Sequence, residues 1–371
     1  MISRNRYTTD LRTTVCLTEF HAAAGAREYT AMVVPDGNRP FAEQLDAVWH
    51  AVDALPSRLP SGAVHVFARI FLSDPANQAS MLPARPYAVS VVGQAPLGGG
   101  VKIAALVLLQ HDVTVAEAGG GLYEVKGADG SIDFYAVSWT RPGMDSEAAT
   151  VSMLEDYSEA LAAHGCTLAD NCLRTWFFVR DVDVNYRGVV EGRNTVFDRK
   201  GLTASTHFIA STGIGGYGDD HCSKVSFDAY ASPDVTPDMV TYLKGASHLN
   251  PTSEYGVAFE RATLVCRGGC RRVIVSGTAS IDNRGQVVHT GDIVGQTARM
   301  CENVEVLLAE GGCAPEDMTH AIVYQRDIAD AAVVACMIEE RYPGLPAIFL
   351  LAPVCRPGWL VEMECVALRE D

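Results

Sequence analysis

The chain has 371 residues, of which 48% are hydrophobic, and a formal charge of −16 at neutral pH. This length is expected to hold two or three domains with buried cores, and the negative charge argues against a general nucleic-acid surface, because phosphates are bound by clustered Lys and Arg. No apolar run reaches transmembrane length and no signal-peptide core follows the first residues, so we expect a cytoplasmic protein that binds no membrane.

The first third of the chain predicts one helix among several strands. Apolar patterns typical of strands cover residues 28–34, 87–92 and 102–109. A helix over residues 41–54 is expected to stop at Pro56. The strand that follows this helix ends in Asp74.

The remaining two thirds repeat this pattern with different side chains. Strands are predicted at 122–125, 132–138, 207–211 and 224–231, and again at 258–265, 272–280, 347–352 and 360–367. Helices are expected to start after Asp145-Ser146 and near Asp292, and strands again end in aspartate at Asp181 and Asp327. The helical positions predicted to be buried are Met153, Tyr157 and Leu161, and then Val294, Ala298, Cys301, Val304 and Leu308.

The order β-β-α-β-α-β-β therefore occurs three times along the chain. It predicts an α+β fold in which each copy is a mixed sheet with two helices on one face. A period of about a hundred residues indicates three domains and not a solenoid. We place these domains at residues 10–115, 120–233 and 250–371.

Three glycine-rich segments are candidates for ligand loops. Residues 98–100 are expected to connect two strands, and residues 119–121 to link the first two copies. Residues 211–218 could cradle an anion with backbone N–H groups, or could simply connect strands. None has the spacing of a nucleotide-binding loop, so we predict no cofactor. Cys266 and Cys270 bracket a hairpin turn without a second ligand pair, so we predict no metal.

Charged residues in strand-like surroundings are the best candidates for a site. Arg174 and Arg261 are such residues, and a charge there needs a partner or a ligand. Near the end of the chain, Arg356 follows Cys355. Several arginines that converge on one point would favour a carboxylate ligand.

Two glutamates of the last strand share one face of the sheet. Because side chains alternate along a strand, Glu362 and Glu364 point to the same side. If that side is a wall between copies, burial could raise a carboxyl pKa to a value that suits a general acid. Asp228 stands at the position of Glu364 in the second copy and Ala104 in the first, so three equivalent sites are excluded.

The repeated unit, with its final strand at 360–364, resembles the reactive intermediate deaminase (Rid) family. Members of that family are trimers of small chorismate-mutase-like subunits with ligand clefts between them. The resemblance implies an intramolecular pseudo-trimer that can act as a monomer. The family's deaminases hold a carboxylate through a Pro-Ala-Arg segment, which Pro83-Ala84-Arg85 matches in the first copy, whereas Ile348 follows Pro346-Ala347 in the third.

Residues 172–367 resemble the chorismatases, which belong to the same superfamily and split the enolpyruvyl ether of chorismate. This resemblance implies a small anionic metabolite as the partner and Glu364 as the general acid. It implies the following substrate-binding residues: Arg174, Thr212, Gly213, Gly215, Tyr255, Arg261, Cys355 and Arg356.

Two other functions stay open. A Rid-type deaminase would hydrolyse imines or enamines of small acids and release ammonia. A non-catalytic metabolite-binding protein would be stabilised by its ligand without turning it over.

Overall fold

The structure is a computed structural model that describes residues 1–23 and 27–371. The first strands in chain order are β1 Ile2–Thr8, β2 Thr13–His21, β3 Arg27–Pro35, β4 Ala63–Leu72, β5 Ala88–Gly93, β6 Ala95–Pro96 and β7 Ile103–His111. All but β6 form the first sheet, in the order β1-β2-β3-β7-β4-β5. Helix α1, Phe41–Arg58, packs on this sheet through residues such as Val48, Val52 and Leu55.

Helix α1 continues through Pro56, so the prediction that it stops there is wrong. Proline has no N–H, and its presence leaves the carbonyl of Val52 without the usual helical donor. The Nε2 atom of His65 on β4 lies 3.0 Å from that carbonyl and takes the place of the missing N–H. The sheet thus compensates for the proline, and the helix gains one more turn.

The first copy departs from the predicted pattern at its second helix. Only α2, Pro75–Gln78, and a short 3₁₀ turn over Ala79–Met81 occupy that place. Pro83 and Pro86 follow closely, and a residue that precedes proline disfavours helical backbone. The first copy therefore has one long helix on its sheet.

The middle of the chain forms the second sheet. Its strands are β8 Val113–Gly119, β9 Leu122–Gly127, β10 Ile132–Thr140, β11 Cys172–Val179, β12 Ala210–Gly215 and β13 Val225–Ala231. They lie in the order β12-β11-β13-β10-β9-β8. Residues 119–121 form the turn between β8 and β9, so the prediction that they link two copies is wrong. The helices are α3 Ser146–Ala162, α4 Leu168–Asn171 and α5 Val182–Arg199.

The last part forms the third sheet. Its strands are β14 Val240–Leu243, β15 Ala262–Arg267, β16 Cys270–Ala279, β17 Met318–Gln325, β18 Ala347–Leu351 and β19 Val361–Glu370. With β6 at the edge, the order is β14-β15-β16-β19-β17-β18-β6. Helices α6, Ile293–Glu310, and α7, Ala331–Arg341, belong to this copy. Val294 is 51% exposed, contrary to the prediction, because the buried face of α6 begins at Gln296 and Thr297.

The three copies pack around a common interior, as the predicted pseudo-trimer requires. Residues at equivalent strand positions, Phe67 of β4, Arg174 of β11 and His320 of β17, line one central cavity. The copies are also joined at their edges, where Gly215 N donates to Pro353 O at 2.9 Å and Leu97 N to Phe349 O at 2.8 Å. Whether the three segments fold as separate domains with the bounds given above stays a prediction.

None of the helices in the described ranges is both long and apolar enough to cross a bilayer.

Candidate active site between the second and third sheets

A cleft that holds a cavity of about 40 Å³ lies between the second and third sheets. The second copy lines it with Tyr186, Arg193, Ser211, Thr212 and Gly213. The third copy and the segment before it contribute Tyr255, Val257, Phe259, Gly277, Ala279, Cys355, Arg356, Trp359 and Glu362.

Glu362 is the one carboxylate among the described residues that line this cleft. Its side chain is 5% exposed and takes part in none of the hydrogen bonds between described residues. Burial, reinforced by the negative charge of Glu364, raises its pKa to about 8. The carboxyl can stand so close to β16 because residue 277 is glycine: a Cβ there would lie 2.1 Å from Oε1 of Glu362. At neutral pH this group is therefore a neutral acid.

Glu364 lies on the same side of β19 but is held outside the cleft. Its Oε2 accepts from Arg174 Nη2 at 2.7 Å and from the Thr212 hydroxyl at 2.5 Å. Its Oε1 accepts from Trp176 Nε1 at 2.9 Å. Both oxygens of this carboxyl group are thus already used by donors of the second copy. Arg174 and Glu364 line the central cavity instead of the cleft, so both lie behind the wall that Thr212 forms.

Two of the predicted arginines lie at the segment that contains Tyr255. The guanidinium of Arg356 stands between the rings of Tyr255 and Trp359, with its Cζ 4.4 Å and 4.8 Å from their centroids. It makes none of the ion pairs found among the described residues. Arg261 is 4% exposed and donates to the backbone and side-chain oxygens of Asn250 at 3.1 to 3.2 Å. Arg356 is thus free to bind an anion, whereas Arg261 is partly committed.

The glycine-rich segment that starts at residue 211 is strand β12 and not a loop up to residue 215. It pairs in parallel with β11, which places Thr212 beside Trp176. A Cβ on Gly213 would meet the Tyr186 ring at 2.6 Å, so glycine lets that ring cover the strand. Gly215 packs against Pro353 and lies away from the cleft. Strand β12 lies at the edge of the second sheet and pairs with β11 along one side only, so the anion cradle considered above stays a prediction.

Cys355 lines the cleft as a neutral thiol. Burial, with the negative charge of Glu362 beside it, raises its pKa to about 12. The thiolate is the nucleophilic form of cysteine, and it is scarce at neutral pH when the pKa is so high. The side chain therefore contributes shape and a weak hydrogen-bond donor to the wall.

A second buried charge cluster joins the first and second copies. Asp228 accepts from Arg69 Nη2 at 2.8 Å, from the Ser90 hydroxyl at 2.5 Å and from Ser138 N at 2.7 Å. The strand register makes Asp228 equivalent to Glu364, as predicted. In the first copy the same register position is Leu106, so the alignment with Ala104 is wrong by two residues.

Three cleft residues were missed or undervalued on the sequence: Tyr186, Arg193 and Glu362. On α5 the residues Val182, Tyr186, Val189, Arg193 and Val196 follow each other at steps of four and three, which marks a single helix face. An arginine in such a stripe is buried by the same packing that buries its apolar neighbours. The position of Arg193 in this apolar helix face is therefore the feature of the sequence that predicts its burial. For Glu362 the alternation along the strand predicts the face of the sheet but not its neighbour Gly277.

Comparisons with known proteins were made by sequence and by structure. Residues 264–369 match the family model described as Endoribonuclease L-PSP. A 3-aminoacrylate deaminase, RutC, from Acinetobacter baylyi is 31% identical over 97 residues, which are 26% of this chain and 77% of that protein. A 3-hydroxybenzoate synthase from Streptomyces hygroscopicus is 27% identical over 244 residues, 57% of this chain and 70% of that protein.

Among solved structures, that of a chorismatase superimposes with a TM-score of 0.64 at 19% sequence identity. It covers 82% of this chain, and 92% of the chorismatase chain is matched. At this level of identity the likeness concerns the fold alone. It agrees with the three tandem copies described above.

Proposed function

The chain belongs to the Rid family, and we propose that it cleaves the enolpyruvyl ether of chorismate, or of a related small carboxylate, in the cleft between the second and third sheets. The observation that carries this proposal is Glu362, a buried carboxyl with a pKa of about 8 that faces a cleft containing an unpaired guanidinium. The similarity to a 3-hydroxybenzoate synthase over 57% of the chain supports it.

An enol ether is cleaved once its terminal carbon is protonated. Neutral Glu362 gives its proton to the CH₂ carbon, which becomes a methyl group, and the positive charge is shared by the adjacent carbon and the ether oxygen. Water adds to that carbon and returns a proton to the glutamate. The hemiketal then collapses to pyruvate and the free ring alcohol. A positioned general acid contributes roughly 10²- to 10⁴-fold to the rate.

The electrostatics of the cleft suit an anionic substrate. With Glu362 protonated, the lining residues carry the positive charges of Arg193 and Arg356 and no compensating carboxylate among the described residues. The guanidinium of Arg356 lies close to two aromatic rings and pairs with none of the described carboxylates, which leaves its N–H groups for a carboxylate ligand.

We assign different roles to the two glutamates of β19. Glu364 was predicted as the general acid, but its two oxygens already accept three hydrogen bonds from Arg174, Thr212 and Trp176. A fixed negative charge beside Glu362 keeps the latter protonated. Glu362 is therefore the proposed acid and Glu364 the group that maintains its protonation, supported by Arg174 and Thr212.

The test is the release of pyruvate from chorismate, followed with lactate dehydrogenase, by wild type, Glu362→Gln and Glu364→Gln. Exposed Glu117 provides a matched control, Glu117→Gln. We expect Glu362→Gln to lose at least about 10²-fold in kcat, and Glu364→Gln to retain activity with its pH profile moved towards acid. Loss of activity in Glu364→Gln alone would give the acid role to Glu364. Absence of pyruvate with wild type would reject the proposed function.

A Rid-type deaminase is the second candidate, because RutC is 31% identical to the chain over 97 residues. Arg85, which matches the deaminase motif, lies elsewhere: its Nη1 is 3.0 Å from Asp53 of α1 and its Cζ stands over Trp49. Release of ammonia from imines of small amino acids, without pyruvate from chorismate, would favour this candidate.

A further inference from the structure

Arg193 is a buried guanidinium without an adequate partner. Its side chain belongs to the largest fully buried ones, with 1% exposure of the residue. Neither Nε nor Nη2 has a hydrogen-bond partner among the described residues. Nη1 reaches only Ser211 Oγ, at 3.5 Å, which is the outer limit of a hydrogen bond.

Such an arrangement is costly in a folded protein. Arginine stays protonated at all physiological pH values, and a charge removed from water without a counter-ion destabilises the fold. The part of the chain that the structure describes offers Arg193 no carboxylate within ion-pair distance. The groups around it are apolar or neutral, with the rings of Phe177 and Phe259 both 5.9 Å from its Cζ.

Arg193 and the proposed acid enter the cleft from different copies. Arg193 projects from α5 of the second copy and reaches Ser211 of β12. Glu362 projects from β19 of the third copy and stands beside Gly277 of β16. A ligand group bound by Arg193 therefore contacts the second copy, whereas the proton comes from the third.

We infer that Arg193 is a specificity-determining residue that binds a carboxylate remote from the reacting carbon, so that the cleft selects ligands with two anionic groups. Arg356 binds one of these groups and Arg193 the other. This inference rests on the proposed cleft but not on the proposed reaction. Because the remote carboxylate does not change during proton transfer, its contact stabilises ground state and transition state equally.

The experiment uses three probes that do not react. 3-(Carboxymethoxy)benzoate carries two carboxylates, and benzoate and phenoxyacetate each carry one of them. Their dissociation constants are measured by calorimetry with wild type, Arg193→Met and Arg187→Met. Arg187 is the matched control, because it lies on the same helix with 87% of its side chain exposed.

Wild type is expected to bind the diacid at least about tenfold more tightly than either monoacid, since one charge-assisted contact is worth that much. Arg193→Met should bind the diacid no better than one monoacid, while Arg187→Met should match wild type. Equal affinities of the diacid for wild type and Arg193→Met would overturn the inference. So would a wild type that does not prefer the diacid.

Thermal unfolding without ligand distinguishes a binding residue from a structural one. If Arg193 is held ready for a ligand, Arg193→Met removes an unpaired buried charge and its midpoint should equal or exceed that of wild type. A lower midpoint for Arg193→Met than for Arg187→Met would overturn the inference. If pyruvate is released from chorismate, KM should rise in Arg193→Met with kcat unchanged. If no pyruvate is released, the calorimetric preference for the diacid still shows whether Arg193 binds a carboxylate.

Discussion

Replacing Glu362 by glutamine should change how the stability of the protein depends on pH. The pKa of this carboxyl is about 8 in the folded protein, against an ordinary value of 4.5. Between these two values the folded state holds the proton and the unfolded state does not, so the free energy of unfolding falls as pH rises. At about 1.4 kcal/mol per pH unit, ionising Glu362 costs the folded state at most about 5 kcal/mol.

Glutamine has nearly the same shape and cannot ionise, so Glu362→Gln should lack this loss of stability. We expect wild type and the variant to be similar near pH 5, and the variant to become more stable by several kcal/mol near pH 9. Denaturant unfolding midpoints at intervals of one pH unit measure the difference. Glu117→Gln, which removes an exposed carboxyl of β8, is the control and should follow wild type. Parallel curves for wild type and Glu362→Gln would refute the reasoning.

Two further predictions concern groups around the site. Arg69→Met should lower the free energy of unfolding by about 3 to 5 kcal/mol, because it leaves the buried carboxylate of Asp228 without its counter-ion. The double variant Arg69→Met/Asp228→Asn should recover most of that loss. Denaturant titration measures both changes. Gly277→Ala places a Cβ 2.1 Å from Oε1 of Glu362 and should cost about 1 to 3 kcal/mol in the same assay, whereas Gly99→Ala, where nothing lies within 4 Å, should have little effect.

The sequence was most informative where structure depends on near neighbours along the chain. The helix expected after Asp145-Ser146 begins one residue earlier, at Ser146, since the side chain of Asp145 accepts the Ala148 N–H at 2.8 Å. The errors arose where a distant group intervened. Helix α1 continues through Pro56 because the ring of His65, on β4, lies within hydrogen-bond distance of the Val52 carbonyl that the proline leaves without a donor. Val294 is exposed because α6 presents a different stretch of its face to the sheet.

The same division applies to the candidate site. The two-residue period of a strand placed Glu362 and Glu364 on one face, and the repeat showed that the other copies carry Asp228 or no acid at this position. Period alone cannot say which carboxyl is hydrogen-bonded, because that depends on donors from another copy. Arg174, Trp176 and Thr212 reach Glu364 across the interface between copies and leave Glu362 unbonded.

By itself, the sequence determined the threefold repeat, the family and most helix and strand positions, because these follow from patterns that lie within one copy. Only the tertiary structure decided which side chains meet. It placed Arg193 of the second copy and Arg356 of the third in one cleft and gave Glu362 its raised pKa. The physical reason is that desolvation and ion pairing depend on distances across an interface, and no local pattern encodes those distances.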